Sequence, residues 1–169
     1  MRLQALTGLL MAGALGGCIS MSDSTAVRPV SNDVASNSRV TSIVLTKSDN
    51  LDVSSEFESV FRAKVADKLI NCATGSREVR LEARIWDLNK ANPAMTYLIA
   101  GQNSIRGTAK IYDANTGELL GEYNIQASTT GTGLIAAAYL AEAEENLSSS
   151  FGEQVCKQAF TVKKVRKKA

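Results

Sequence analysis

The stretch "EVRLEARIWDL", residues 78–88, alternates apolar with polar or aromatic side chains. Such alternation is typical of a strand with one buried face and one exposed face. The apolar set consists of Val79, Leu81, Ala83 and Ile85. The stretches 104–113 and 118–128 alternate in the same way, and "DANTGE" between them has the composition of a hairpin turn. The three stretches therefore predict an antiparallel sheet with one face on the core and one face in solvent.

Segments on either side of these strands complete the predicted domain. Residues 40–46, "VTSIVLT", are rich in β-branched side chains and predict a further strand. Apolar residues recur every three or four positions from Phe57 to Cys72 and again from Leu140 to Ala159, which predicts two amphipathic helices. We therefore expect an α+β domain of two layers over residues 39–161. Its sheet would have about four mostly antiparallel strands with two helices on one face, in the order β-α-β-β-β-α.

The amino-terminal residues 1–17 contain one charge, Arg2, followed by an apolar run. This pattern is typical of a secretory signal peptide, and the run is shorter than the roughly 20 residues that a membrane span needs. "LGGC" at residues 15–18 then resembles the lipobox of bacterial lipoproteins. The resemblance implies cleavage before Cys18, a diacylglyceryl group on its thiol, and acylation, for example by palmitate, of the new amino terminus. The alternative is a plain secretory signal with a chance cysteine.

The lipoprotein resemblance also implies a location in the cell envelope. Two acyl chains are enough for stable membrane attachment, whereas one gives only marginal binding. Lipoproteins retained in the inner membrane typically have aspartate after the lipidated cysteine, and Ile19 stands there in this chain. The resemblance therefore implies the periplasmic side of the outer membrane.

Two segments flank the predicted domain. Residues 18–38 are rich in Ser, Asn and Asp without a steady period, and they predict a flexible tether between lipid and domain. Residues 162–169 form a basic tail with five positive charges. This tail either reaches lipid phosphates or another anionic surface, or is a solvated chain end.

Two cysteines remain beyond the lipobox, Cys72 and Cys156. An even number of cysteines in an exported chain favours a disulfide between them. Buried free thiols and bonds to other chains are the alternatives. The sequence of 169 residues contains no histidine, which excludes Ser-His-Asp and Cys-His catalysis. We expect no metal, because a zinc site would need four ligands, and no cofactor.

The solvent face of the predicted sheet is the first candidate for a partner site. It combines cations with aromatic side chains, which suits a protein or glycan partner. Its residues are Arg80, Arg84, Trp86, Arg106, Lys110 and Tyr112. The alternative is an ordinary solvated face. The apolar connector "NPAMTYLIAG", residues 92–101, is either a loop covering the core or an exposed contact loop.

The predicted element order and the "DANTG" turn at 113–117 are similar to small periplasmic α+β domains of envelope lipoproteins and secretion accessories, including the amino-terminal domain of the TolB family. Such domains mostly bind other envelope components, so the resemblance implies a binding or accessory role in envelope assembly or secretion, without catalysis. The alternative is a hydrolase acting on cell-wall glycan or peptide, with carboxylates from the acidic run 142–145. A nucleic-acid partner is not expected for an exported lipoprotein.

Overall fold

The computed structural model describes residues 19–96, 98–131, 138 and 141–161. Cys18, the predicted signal peptide 1–17 and the basic tail 162–169 lie outside these residues. The described residues form six strands and four α-helices. In chain order these are β1 (Ile19–Ser22), β2 (Thr25–Arg28), α1 (Asn32–Asn37), β3 (Ser38–Lys47), α2 (Phe57–Leu69), β4 (Arg77–Asn89), α3 (Pro93–Thr96), β5 (Gly101–Asp113), β6 (Leu119–Gly131) and α4 (Ala143–Val155), followed by a π-helical turn (Cys156–Phe160). None of the helices in these ranges is both long and apolar enough to cross a membrane.

All six strands belong to one sheet. Its order is β1-β6-β5-β4-β3, with β2 pairing beside β1 on the same edge of β6. The strands β4, β5 and β6 form an antiparallel meander, as their alternation predicts. In contrast, β3 is parallel to β4, because α2 returns the chain to the starting end of the sheet before β4 begins.

The predicted fold class is wrong in its strand and helix numbers, although the chain is still α+β. The sheet is six-stranded and mixed instead of about four-stranded, and the described residues contain four helices instead of two. The additional strands come from the predicted flexible tether: Ile19 pairs with Thr130 and Thr25 pairs with Asn124. The edge of β6 offers unpaired backbone donors and acceptors, and residues 19–28 satisfy them. The folded unit therefore includes residues before 39.

Side chains and backbone beyond the strands also hold this amino-terminal segment in place. The Ser24 hydroxyl donates to the Gln126 carbonyl and accepts from the Gln126 amide, each at 3.1 Å. The Val30 amide donates to the hydroxyl of the fully buried Tyr123 at 2.9 Å. Burial raises the pKa of the Tyr123 hydroxyl. Residues 19–38 are thus part of the packed domain.

The core lies between the apolar face of the sheet and the two long helices α2 and α4. Val79, Leu81 and Ile85 are fully buried on the sheet side. On the helix side, the rings of Phe61 and Phe151 have centroids 5.2 Å apart. This arrangement confirms the predicted apolar faces of β4 to β6 and the packing of helices on that face.

The disulfide between Cys72 and Cys156 is confirmed, with Cα atoms 5.8 Å apart. It joins the end of α2 to the turn that follows α4. α2 begins at Phe57, as the apolar period predicts. Its amino-terminal cap is Glu56, which makes no side-chain capping bond.

Candidate functional site

The six predicted partner-face residues lie together on the solvent side of β4 and β5, which we call the outer face. Register pairs Arg80 with Tyr112 across the two strands, and Arg84 with Thr108. Arg84, Trp86 and Arg106 are exposed. Arg80, Lys110 and Tyr112 are half-buried. The strand alternation therefore located this face correctly, whereas its role in binding stays a prediction.

Most cations of the outer face are held in ion pairs. Arg80 contacts Glu82 at 2.9 Å, and its guanidinium carbon lies 5.2 Å from the centre of the Tyr112 ring. Lys110 lies 3.5 Å from Glu122. These carboxylates neutralise the two cations, so the paired side chains form a polar surface with little net charge.

Arg106 is the third paired cation, 3.7 Å from Asp87. The sequence interpretation missed all three acidic partners. They are Glu82, Asp87 and Glu122. Cross-strand register would have found the pair of Lys110 with Glu122, which stand opposite each other on neighbouring strands. Glu82 also stands opposite Lys110, but its ion pair is with Arg80 on its own strand.

Arg84 differs from the other cations on this face. It is exposed, and among the described residues it takes part in no ion pair or side-chain hydrogen bond. Two residues further on, Trp86 is 41% exposed, and it is the single tryptophan of the chain. Arg84 and Trp86 therefore form the part of the outer face whose cation has no carboxylate partner in the described part of the chain and whose aromatic ring is open to solvent.

A β-bulge lies at Trp86, which the strand alternation already puts on this face. Ile85 of β4 stands opposite Gly107 of β5, and Asp87 stands opposite the neighbouring residue, Arg106. Trp86 has no partner on β5 and is the extra residue of the bulge. Bulges bend a strand and re-aim its side chains, and they are common next to functional sites. Here the bulge turns two consecutive residues, Trp86 and Asp87, away from the core while Leu88 is buried again.

Gly107 permits the close packing beneath this bulge. A Cβ atom at this position would lie 2.5 Å from the Arg84 carbonyl oxygen, 2.7 Å from Ile85 Cδ1 and 3.2 Å from the ring of Phe151. Only glycine leaves room for the bulged strand on one side and for α4 on the other. The helix layer and the bulge are therefore linked through this residue.

The outer face contains a groove of about 560 Å³. Its walls come from four neighbouring strands, β3 to β6, with Arg84 and Trp86 on β4. The other lining residues include Thr46, Lys47, Thr108, Lys110, Tyr112 and Glu122. The groove offers positive charge, hydroxyl groups and an aromatic surface together, which is the chemistry of polar recognition at an interface.

A second groove of about 580 Å³ lies between β3 and α2. It is more apolar, and Val40, Ile43, Leu69 and Ile70 form part of its lining. Among the described residues, the charged side chains in its lining are Arg39 and Arg62, which pair with Glu78 and Glu58. It runs along the edge of the sheet, away from the outer face.

The acidic run 142–145 contributes a structural contact instead of a paired carboxylate site. One Glu144 oxygen accepts from the Ser54 amide at 2.8 Å, and the other accepts from the Ser54 hydroxyl at 2.6 Å. Lys90 also contacts Glu144, at 3.3 Å. Burial alone would raise the pKa of the Glu144 carboxyl, but the bonds from Ser54 and Lys90 outweigh it and hold the pKa below its usual value. This carboxylate ties the start of α4 to the segment before α2.

Another carboxyl with a shifted pKa is Asp113, at the hairpin turn between β5 and β6. Its oxygens accept from the amides of Thr116 and Asn115, each at 3.0 Å, and from the Arg77 guanidinium at 2.9 Å. These bonds lower its pKa to about 2. Gly117 completes the turn with a φ of 72°, in the left-handed region that glycine adopts readily. Over the described ranges, no group of three or more acidic or cysteine side chains could hold a metal ion.

No protein-family model and no curated protein matches this chain. Among solved structures, PelC from Paraburkholderia phytofirmans, a dodecamer in its crystal, aligns with a TM-score of 0.43 and 12% identity over 83% of this chain and 99% of that chain. A presumed lipoprotein from Caulobacter crescentus CB15 aligns with a TM-score of 0.39 and 13% identity over 68% of this chain and 85% of that chain. These values assign neither a family nor a function to this chain.

Proposed function

We propose that this chain is a lipid-anchored protein of the cell envelope that binds another envelope component on the outer face of its sheet. The anchor is Cys18 of the lipobox-like "LGGC", and the location is the periplasmic side of the outer membrane. The role is binding or accessory, in envelope assembly or secretion. The observation that carries the binding site is the exposed pair of Arg84 and Trp86.

This pair has the properties of an interface anchor. Arginine and tryptophan are the residues most enriched among those that dominate binding energy. The Arg84 guanidinium offers planar donors that match a carboxylate or phosphate, while the Trp86 ring offers an apolar surface for stacking. We therefore infer a protein or glycan partner that carries an acidic group next to an apolar or ring surface.

The surroundings of the pair support binding more than catalysis. The neighbouring cations are already neutralised by Glu82, Asp87 and Glu122, and such a polar rim suits a docking surface. A glycosidase would need two carboxyls in different environments across a cleft. The carboxylates of the outer face are instead each paired with a basic side chain.

Site-specific photocrosslinking tests this proposal. Benzoylphenylalanine at Thr108, the register partner of Arg84, is expected to capture the partner in intact cells. The matched control carries the same group at Ser59, an exposed residue of α2 on the opposite layer. Digestion of the adduct with protease or glycosidase then distinguishes a protein partner from a glycan.

The double variant R84A/W86A is expected to lose the adduct formed at Thr108. The proposal fails if that adduct persists unchanged in the double variant, or if the probe at Ser59 captures the same partner equally well. In either case the outer face is an ordinary solvated surface.

A further inference from the structure

The register of the sheet brings four chain positions to one end of the domain. Ile19 at the start of β1 pairs with Thr130, and Thr130 also pairs with Gln102 near the start of β5. At the same end, Asn89 of β4 pairs with Ser104. The start of β1, the end of β6 and the connection between β4 and β5 therefore lie together. We call this the anchor end, because Cys18 directly precedes Ile19.

The connection between β4 and β5 exposes large apolar side chains at the anchor end. Met95 is 49% exposed, Leu98 is 72% exposed and Ile99 is 58% exposed. Large apolar side chains are also exposed elsewhere, for example Ile70, but here three of them fall within five residues of one connection. Such a cluster is suited to contact with an apolar surface.

Two segments that reach this end contain no charged residue. The chain has no charged residue from Ala91 to Ile105, and none from Tyr123 to Ala141. Asp52 and Glu144 both contact Lys90, which directly precedes the first of these segments.

The opposite end of the sheet is charged. It includes the ion pair of Arg77 with Asp113, the ion pair of Arg39 with Glu78, and Glu118 in the turn before β6. The anchor end also carries charge, from Lys47 at the end of β3 and from Asp52 and Glu144 near Lys90. Its uncharged part is the connection together with the end of β6.

We propose that Met95, Leu98 and Ile99 enter the boundary between headgroups and acyl chains of the membrane that holds Cys18. This inference rests on the proposed function, because lipidation of Cys18 brings the bilayer to the anchor end. The pairing of β1 with β6 makes the contact close: no flexible tether separates Ile19 from the folded domain, so the acyl chains begin one residue from the sheet. The apolar connection is then a second membrane contact that sets the orientation of the domain.

Quenching by brominated phospholipid tests the contact. In a W86F background, one variant carries L98W at the anchor end, and the matched control carries N115W in the turn at the opposite end, where Asn115 is also exposed. The mature lipidated proteins are reconstituted into vesicles of phosphatidylethanolamine and phosphatidylglycerol with brominated chains. We expect emission of the L98W protein to be strongly quenched and shifted to shorter wavelength, while emission of the N115W protein stays as in vesicles without bromine.

Equal emission of the L98W protein in brominated and unbrominated vesicles would overturn the inference, and so would equal quenching of both proteins. A second experiment tests the membrane contact independently of whether cells lipidate Cys18. The unlipidated mature chain, with its free Cys18 thiol coupled to a maleimide phospholipid, presents the same anchor end to the vesicle. If cells do not acylate Cys18, the proposed function fails, while the coupled protein still reports whether the connection enters the bilayer.

Discussion

Cys72, three residues beyond the end of α2, is bonded to Cys156 at the turn after α4, with the two Cα atoms 5.8 Å apart. The bond closes a loop with a sequence separation of 84, which contains β4, β5, β6 and α4. The same two helices also meet through Phe61 and Phe151. Covalent and aromatic contacts therefore hold one helix pair on the apolar face of the sheet.

Removal of this disulfide should destabilise the domain. The variant C72S/C156S is expected to lose about 2 to 5 kcal/mol of unfolding free energy, because the unfolded chain regains the freedom of a long loop. Thermal unfolding with and without reductant measures this. Reductant should lower the melting temperature of the wild type and leave that of the double variant unchanged. A wild type insensitive to reductant after full reduction would contradict the prediction.

Lipidation at Cys18 is tested by metabolic labelling with a palmitate analogue. The wild type should incorporate the label and fractionate with membranes, because two or more acyl chains give stable attachment. The C18S variant should remain uncleaved or appear in the soluble fraction without label. The C72S/C156S variant, which lacks the other two thiols, is the control and should label like the wild type. An unlabelled wild type would leave only an ordinary secretory signal.

The outer face should contribute little to folding. R84A/W86A is expected to change the unfolding free energy by no more than about 1 kcal/mol, because substitutions of exposed residues away from special features have small effects. F61A is the contrast: Phe61 is fully buried, and its truncation should cost about 3 to 5 kcal/mol. Urea unfolding followed by circular dichroism measures both. A loss for R84A/W86A comparable to that of F61A would show that the face is part of the core.

Asp113 should make stability depend on acidic pH. The pKa of the Asp113 carboxyl falls from 3.8 in the unfolded chain to about 2 in the folded domain. Its contribution to the free energy of unfolding is therefore fully present above the pKa of the unfolded chain, and it is lost as the pH falls through the pKa of the folded domain. Urea unfolding of the wild type between about pH 4 and about pH 2 should therefore show a decrease in unfolding free energy. D113N should be less stable near neutrality and should show a smaller decrease over that interval. An identical pH slope for both proteins would contradict the assignment.

Gly107 should not tolerate a side chain. G107A is expected to destabilise the domain by about 1 to 3 kcal/mol, because the added methyl group overlaps the Arg84 carbonyl and the Ile85 side chain. G117N is the matched control: a Cβ at Gly117 meets nothing within 4 Å, and asparagine tolerates the positive φ of that turn. Thermal unfolding should separate the two variants clearly. Equal melting temperatures would show that the bulge at Trp86 accommodates the added methyl group without loss of stability.

Local sequence patterns determined the central part of this molecule. The period of two in β4, β5 and β6 specified which side chains face the core, since a strand presents alternate residues to opposite faces. The period of three to four in α2 and α4 located the helices, and two cysteines near their apolar stripes indicated the disulfide. The same alternation also assigned all six outer-face residues to the solvent side, including Trp86.

Tertiary structure alone decided the rest. The strands β1 and β2 have only 4 residues each, too few for a clear apolar period, and β2 is exposed along its whole length. Both are held on the edge of β6 by backbone bonds that any residue other than proline can make. The parallel pairing of β3 follows from the path of α2, and the bulge at Trp86 follows from the register against β5. Strand neighbours far apart in sequence decide which cations of the outer face are paired and that Arg84 is not. They also bring Ile19 and the apolar connection to the same end of the sheet. Local periodicity reports which face of an element is apolar, whereas edge pairing, register and the chemistry of a sheet end arise only when distant segments come together.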